Sequence, residues 1–257
     1  MTATEIIGLS AAAVAAGMIN AVAGGGTLVT FPTLLFFGVA PIVANATSTL
    51  ALTIGTAGSV YGYRRHFPNV KHWLWRFVPV SIVGGLAGGI WLTRTTNDTF
   101  AKLIPFLILF ATILFLLQGV FRRIAGLDGN TGPAKHHAVW GAVLFQFAVA
   151  VYGGYFGAGI GILMLASLGF IGLSNIYEMN TLKTVLGSLI NLVASIWFIF
   201  AGLIDWPRML IMAVSAVLGY YLGSHFSQRI PQTRVRQLIT AIGFALSAAM
   251  FYKQFAQ

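Results

Sequence analysis

Asn20-Ala21-Val22-Ala23-Gly24-Gly25-Gly26-Thr27-Leu28-Val29-Thr30-Phe31-Pro32 places three consecutive glycines inside an apolar block that runs from about residue 6 to 37. A helix crosses a bilayer with about 20 mostly apolar residues. This block is too long for one straight span, and its arm after the glycines, 27–37, is too short to cross. Consecutive glycines in lipid break a helix and free backbone groups, which is tolerable only inside protein or beside a water-filled cavity. The reading is a Gly-broken hairpin. A second long block, 136–171, carries the same kind of interruption at Gly153-Gly154-Tyr155-Phe156-Gly157-Ala158-Gly159, followed by a short arm at 160–171.

The rest of the chain sets these two hairpins among ordinary spans. Further apolar blocks lie at about 42–63, 73–93, 101–121, 178–203, 207–227 and 235–255. Of 257 residues, 58% are hydrophobic and only 8% are charged, with a mean hydropathy of +0.86. A soluble domain carries about 25% charged residues, so a soluble enzyme, a disordered chain and a disulfide scaffold are all excluded. The expected class is an all-α polytopic membrane protein. The net charge of +10 does not indicate nucleic acid, because the basic residues sit at the ends of apolar blocks, where topology signals belong. Met1 to Glu5 lacks the basic stretch of a cleavable signal, and the first block is expected to be retained.

The two hairpins belong to a tandem duplication. A constant offset of 134 residues pairs Gly25 with Gly159, Leu34 with Leu168, Thr47 with Thr181, Gly85 with Gly219, Gly89 with Gly223 and Lys102 with Arg236. The repeats are therefore 1–123 and 135–257, joined by a polar linker at 124–134. In the first half the loop at 64–76 carries Arg64, Arg65, Lys71 and Arg76, and the next carries Arg94 and Lys102. In the second half the corresponding loops hold only Arg208, then Arg229, Arg234 and Arg236. The Lys/Arg bias swaps sides, so the positive-inside rule makes the repeats inverted. Each is expected to be a Gly-broken hairpin plus three transmembrane helices. The loops at 64–76 and 227–236 and the linker are expected to be cytoplasmic, and both termini non-cytoplasmic.

Inverted repeats with broken helices at matching positions point to a transporter site near the bilayer midplane. A restarting helix offers unpaired N–H groups and a dipole that favours negative charge. Gly24, Gly25, Gly26 and Thr27, with Gly157, Gly159 and Gly161, are the candidates to cradle an oxyanion; close packing of small residues is the competing reading. Asn20 precedes the triple glycine. Asn45, Thr47 and Ser48, with Asn180 and Thr181, open the following helices, where they serve as N-caps, cavity donors or both. Lys183 stands inside a membrane block, a functional candidate with snorkelling to the interface as its alternative; Glu178 is the acid near it. Gln146 and Asn191 read as interhelical hydrogen-bonding groups. Trp73, Trp75, Trp91, Trp140 and Trp206 read as an interfacial belt. The five histidines lack metal-ligand spacing, no cysteine is present, and neither a metal nor another cofactor is expected.

The run from Asn20 to Pro32, with Gly38 and Ala44-Asn45-Ala46-Thr47, resembles the signature of the TauE/SafE family of sulfite and organosulfonate exporters. Gly157-Ala158-Gly159-Ile160-Gly161 and Gly172 are similar to the repeated form of that motif. The second half departs from it at Ala166, where the family has proline, and at Asn180, where it has a small residue. The resemblance covers essentially the whole chain. It implies secondary transport of a small sulfur-containing anion across the bacterial inner membrane, by a multi-pass protein. The expected function is therefore export of sulfite, thiosulfate or an organosulfonate by alternating access. The alternative is a non-transporting membrane subunit or an intramembrane enzyme, although the spans hold no paired nucleophile and base. The partners are the anion and the lipid bilayer, without nucleic acid, and a homodimer is left open.

Overall fold

The computed structural model describes residues 1–22, 25–62, 67–124, 136–170, 173, 175–226 and 232–255. These form ten helices in chain order: α1 Ala3–Val22, α2 Thr27–Phe36, α3 Pro41–Gly62, α4 Phe67–Arg94, α5 Asn97–Ile124, α6 His136–Tyr155, α7 Ile160–Phe170, α8 Ile176–Phe200, α9 Trp206–Phe226 and α10 Gln232–Phe255. No strand occurs among the described residues. Stretches in α1, α4, α5 and α8 are long and apolar enough to cross a membrane, and α2 is a short apolar helix. The chain is an all-helical, multi-pass membrane protein. The expected linker falls almost wholly at 125–135, outside the described residues.

Helix directions follow from the side chains that meet. Glu5 and Arg208, near the starts of α1 and α9, form an ion pair at 2.6 Å, and Gly17 packs on Ala216 and Tyr220 farther along. The two helices therefore run in parallel. Gln146 donates to Ser81 (3.0 Å) and Gly88 lies against Val151, so α4 and α6 are also parallel. The α3 backbone at Ile42 donates to Asn97, the first residue of α5. Thr47 accepts from Asp205 just ahead of α9. Helices α1, α3, α5 and α9 thus begin at one face of the bundle, the first face. Trp197 donates to Thr93 near the ends of α8 and α4, and Ser247 of α10 donates to the carbonyl of Pro105 early in α5. So α4, α6, α8 and α10 end at the first face. Helices in corresponding positions of the two halves run in opposite directions.

Small residues set these crossings. Gly17, Gly219 and Gly223 let α1 and α9 meet backbone to backbone, Gly84, Gly88 and Gly154 do the same for α4 and α6, and the open side of Gly85 faces Ile190 of α8. In lipid, where apolar surface gains nothing by leaving one apolar environment for another, such close packing is what holds helices together. Helix α9 thereby packs on α1, and α4 on α6.

Three helix starts are capped in the usual way: Thr2, Thr96 and Asp205 each accept the N–H three residues on. The capping expected of Asn45 and Asn180 is corrected, because α3 and α8 begin four residues earlier and both lie in the second turn. Lys71 and Arg76, expected in a loop, likewise lie in the opening turns of α4. Within the expected tryptophan belt, Trp75, Trp91, Trp140 and Trp206 are exposed, whereas Trp73 is buried and stacks on Phe77.

Arg208 holds both Glu5 and Asp205. Glu5 is only 7% exposed, so removing the cation strands a buried carboxylate, at about 3 kcal/mol. Arg208→Ala is expected to lower the melting temperature of the detergent-solubilised protein by several degrees, and Glu5→Gln in the same background to restore part of the loss.

Candidate functional site

Between α1, α3, α7, α8 and α9 lies a cavity of about 170 Å³. One probe sphere of about 10–15 Å³ suffices for a water, so it has room for a small solvated ion or a short organic anion. Thr56, Tyr220 and Asn20 stand about four to five turns from the first face along α3, α9 and α1, whereas Lys183 stands about two turns from the opposite face along α8. The cavity is therefore off-centre, nearer the second face.

Toward the first face it is closed by aromatic rings. Phe31 of α2 meets Phe156 edge to face at 5.5 Å and Phe100 at 6.3 Å, and Phe100 meets Tyr155 at 5.6 Å. Phe31, Phe100 and Phe156 are all fully buried. Tyr152 adds a hydroxyl bond to the carbonyl of Ala158 (2.7 Å), fixing the α6–α7 turn from the side.

Both broken helices reach this cavity with the ends that restart them. Gly25 and Thr27 line it from the α1–α2 turn, and Gly157, Gly159, Ile160 and Gly161 from the α6–α7 turn. Gly25, Gly157 and Gly159 have φ of +93°, +83° and +81°, a region that side-chain-bearing residues rarely enter. At Gly25 the space is closed as well, since a Cβ there would overlap the Phe115 ring. Asn20 ties down the first turn: its Oδ1 accepts the N–H of Gly26 at 2.7 Å, which leaves the Nδ2 to donate. Lys183 runs along the start of α7, with its Cδ 3.2 Å from where a Cβ of Gly161 would stand. The result is a set of donors: two helix starts with their dipoles, an amide, and an ammonium.

Of the residues singled out from the sequence, Asn20, Gly25, Thr27, Gly157, Gly159, Gly161 and Lys183 are brought together here. Gly26 adjoins them through its bond to Asn20. Gly24 lies outside the described residues. The others are placed elsewhere. Asn45 is buried and donates to the carbonyl of Tyr155 (3.1 Å), Thr47 accepts from Asp205 (3.1 Å), and Ser48 bonds Thr30 (2.6 Å). These three pin α3 to α6, α9 and α2 beside the aromatic closure. Asn180 and Thr181 are not among the lining residues, and Thr181 is fully buried.

Sequence reasoning missed Thr56, Phe115, Ser188 and Tyr220, and gave Asn191 a different role. Gln146 does make its interhelical bond, whereas the Asn191 Oδ1 is buried without a hydrogen-bond partner among the described residues, and the Tyr220 hydroxyl is buried beside the Asn20 side chain. Tyr220 could have been suspected from Gly55 alone only with a contact map, since that glycine clears space for its ring (2.6 Å from a Cβ).

Residues 9–250 match the family profile described as "Sulfite exporter TauE/SafE". The chain belongs to the TauE/SafE family. Relatives that span nearly its whole length carry similar descriptions. A "Probable membrane transporter protein" of Haemophilus influenzae is 29% identical over 241 residues, covering 93% of this chain and 91% of its own. One of a Sinorhizobium species, "Probable membrane transporter protein ORF9", is 26% identical, covering 93% and 89%. The Escherichia coli K12 "Probable membrane transporter protein YfcA" is 25% identical, covering 95% and 89%. No solved structure matches the chain. Family membership and these descriptions make the TauE/SafE chain a membrane transporter.

Proposed function

We propose that this protein is a secondary transporter that exports a small sulfur-containing anion, such as sulfite, thiosulfate or an organosulfonate, across the bacterial inner membrane. The observation that carries the reading is the convergence of two Gly-broken helix starts and Lys183 on one cavity. Such a ring of N–H donors, with a single cation, suits an oxyanion that must be bound and then released. The substrate class follows the family description; the relatives' descriptions name no substrate.

In this reading the two halves are inverted repeats, 1–123 and 135–257, with both termini outside the cytoplasm. Support comes from the opposed directions of corresponding helices and from Lys71 and Arg76 in the opening turns of α4, at the second face. Alternating access is rocking of one half against the other around the site. The arrangement seen here, shut by Phe31, Phe100 and Phe156 toward the first face, corresponds to a state that loads from the cytoplasmic side. A negative-inside membrane drives anion export by about 2.3 kcal/mol per charge per 100 mV, so no coupling ion is required. The role is transport and not catalysis.

The test is efflux of radiolabelled sulfite and thiosulfate from vesicles holding the purified protein. Efflux faster than from protein-free vesicles is expected, and identical rates would reject the reading. Lys183→Met removes a charged donor worth about 1.5–3 kcal/mol. The expected result is a KM for efflux raised by about 10- to 100-fold at unchanged protein yield.

A further inference from the structure

We infer that the state open to the first face holds the anion against Thr49 of α3 in place of Lys183, with no cation, and so more loosely than the state seen here. The inference rests on the reading of the cavity as an anion site between inverted repeats, and it names a residue of the release side.

The pairing of residues at an offset of 134 extends to whole helices. Moved by that offset, α1, α2, α3 and α5 begin within one residue of α6, α7, α8 and α10. Gly25 and Gly159, which pair with each other, both have positive φ. The α1–α9 crossing has its counterpart in the α6–α4 crossing, and both rest on glycines against backbone. When two halves related in this way exchange conformations, a cavity lying nearer one face is carried to the matching place near the other. Leu165 lines the cavity now, and its counterpart is Phe31, the ring at the centre of the first-face closure. The exchange thus moves the cavity to the place those rings now fill.

Thr49 borders that place. It stands about two turns from the first face along α3, as Lys183 stands from the second face along α8. Leu52 and Thr56 line the cavity from α3, and Thr49 lies on the same side of that helix, one turn nearer the first face. The exchange keeps the two Gly-broken turns and changes the side chains around them. Lys183 gives way to Thr49, Asn20 to Gly154, Thr56 to Ile190 and Ser188 to Ile54. The set of counterparts has no cation and no amide. Its side-chain donors are hydroxyls alone, Thr49 and Thr53 (in place of Gly187) among them. In the present state each of these two gives its one proton to a carbonyl of its own helix, at 2.8 and 2.7 Å. A charged donor holds an anion about twice as strongly as a neutral one, so the anion is gripped from the second face and let go toward the first. This asymmetry does not drive transport; it sets where the anion loads and where it leaves.

The chain has no cysteine, so one introduced thiol reports its own exposure. In right-side-out membrane vesicles, Thr49→Cys is expected to react with a membrane-impermeant thiol reagent added outside, at least tenfold faster than in inside-out vesicles. A ligand held more tightly by one state draws the population to it. Saturating ethanesulfonate, which is inert to the reagent, is therefore expected to slow modification of the purified Thr49→Cys protein at least fivefold. With Lys183→Met added, the slowing is expected to fall below twofold, since neither state then offers a cation. Shielding of the thiol by an anion seated beside it would instead persist in the double variant. Thr53→Cys serves as the reporter should Thr49→Cys fail to fold. A thiol that reacts only from the cytoplasmic side, modification that ethanesulfonate does not slow, or slowing that survives Lys183→Met would overturn this inference and leave the anion site standing. Failure of sulfite, thiosulfate and ethanesulfonate alike to stabilise the purified protein against heat would overturn both.

Discussion

Gly25→Val is expected to abolish anion efflux from loaded vesicles, with rates falling at least a hundredfold to the protein-free background. Two independent effects act at this position. The backbone sits at φ +93°, where a β-branched residue is strained by about 1–3 kcal/mol. In addition, any Cβ overlaps the ring of Phe115, which is fully buried and cannot swing aside freely. The α1–α2 turn must then shift away from the cavity, taking with it the Gly26 N–H that Asn20 holds and the donors at the start of α2. Gly25→Ala is expected to show an intermediate loss, because it meets the same overlap with less bulk. Size-exclusion profiles and melting temperatures separate this local effect from misfolding. A valine variant that melts like wild type and still transports at the wild-type rate would show that the turn is not part of the site.

The second large effect is expected on the packing of α4 against α6 and of α1 against α9. A Cβ on Gly88 would overlap the backbone carbonyl of Val151, and one on Gly154 would overlap that of Gly85. Backbone cannot rotate out of the way as a side chain does, so Gly88→Leu must separate α4 from α6. Overpacking of this kind costs about 3 kcal/mol, and here it also removes the close approach on which helix association in lipid depends. The expected result is loss of the folded monodisperse species in detergent, with a melting temperature lowered by 10 °C or more where folded protein is recovered. Gly219→Leu, which strikes the backbone of Val14 across the α1–α9 crossing, is expected to do the same. Gly141→Leu on α6 gives the contrast, since nothing stands within 4 Å of its missing Cβ and its backbone is helical. Wild-type melting in Gly88→Leu would mean that the α4–α6 crossing is not what holds the bundle together.

The aromatic closure and the ion pair at the first face belong to the same picture. Phe31, Phe100 and Phe156 interlock across α2, α5 and the end of α6. Arg208 meanwhile joins the starts of α1 and α9. Both devices tighten the first face, so opening there has to unpack three rings. Asn45, Thr47 and Ser48 stabilise the same end by tying α3 to its neighbours.

Composition and pattern by themselves determined the membrane class and the helical breaks at Gly25 and Gly159, and they singled out Asn20 and Lys183, which the structure places at one cavity. Those features are local or periodic, written in apolar length, in glycine-rich runs that interrupt it, and in charges that mark helix ends. Only tertiary structure decided that Asn45, Thr47 and Ser48 brace helices beside the closure, whereas Tyr220, Thr56 and Asn191 face the cavity. A polar residue within an apolar helix reads the same whether it meets another helix or an empty space. Which it meets depends on helix rotation, and here rotation is set by glycine-to-backbone contacts between residues as distant as Val14 and Gly219.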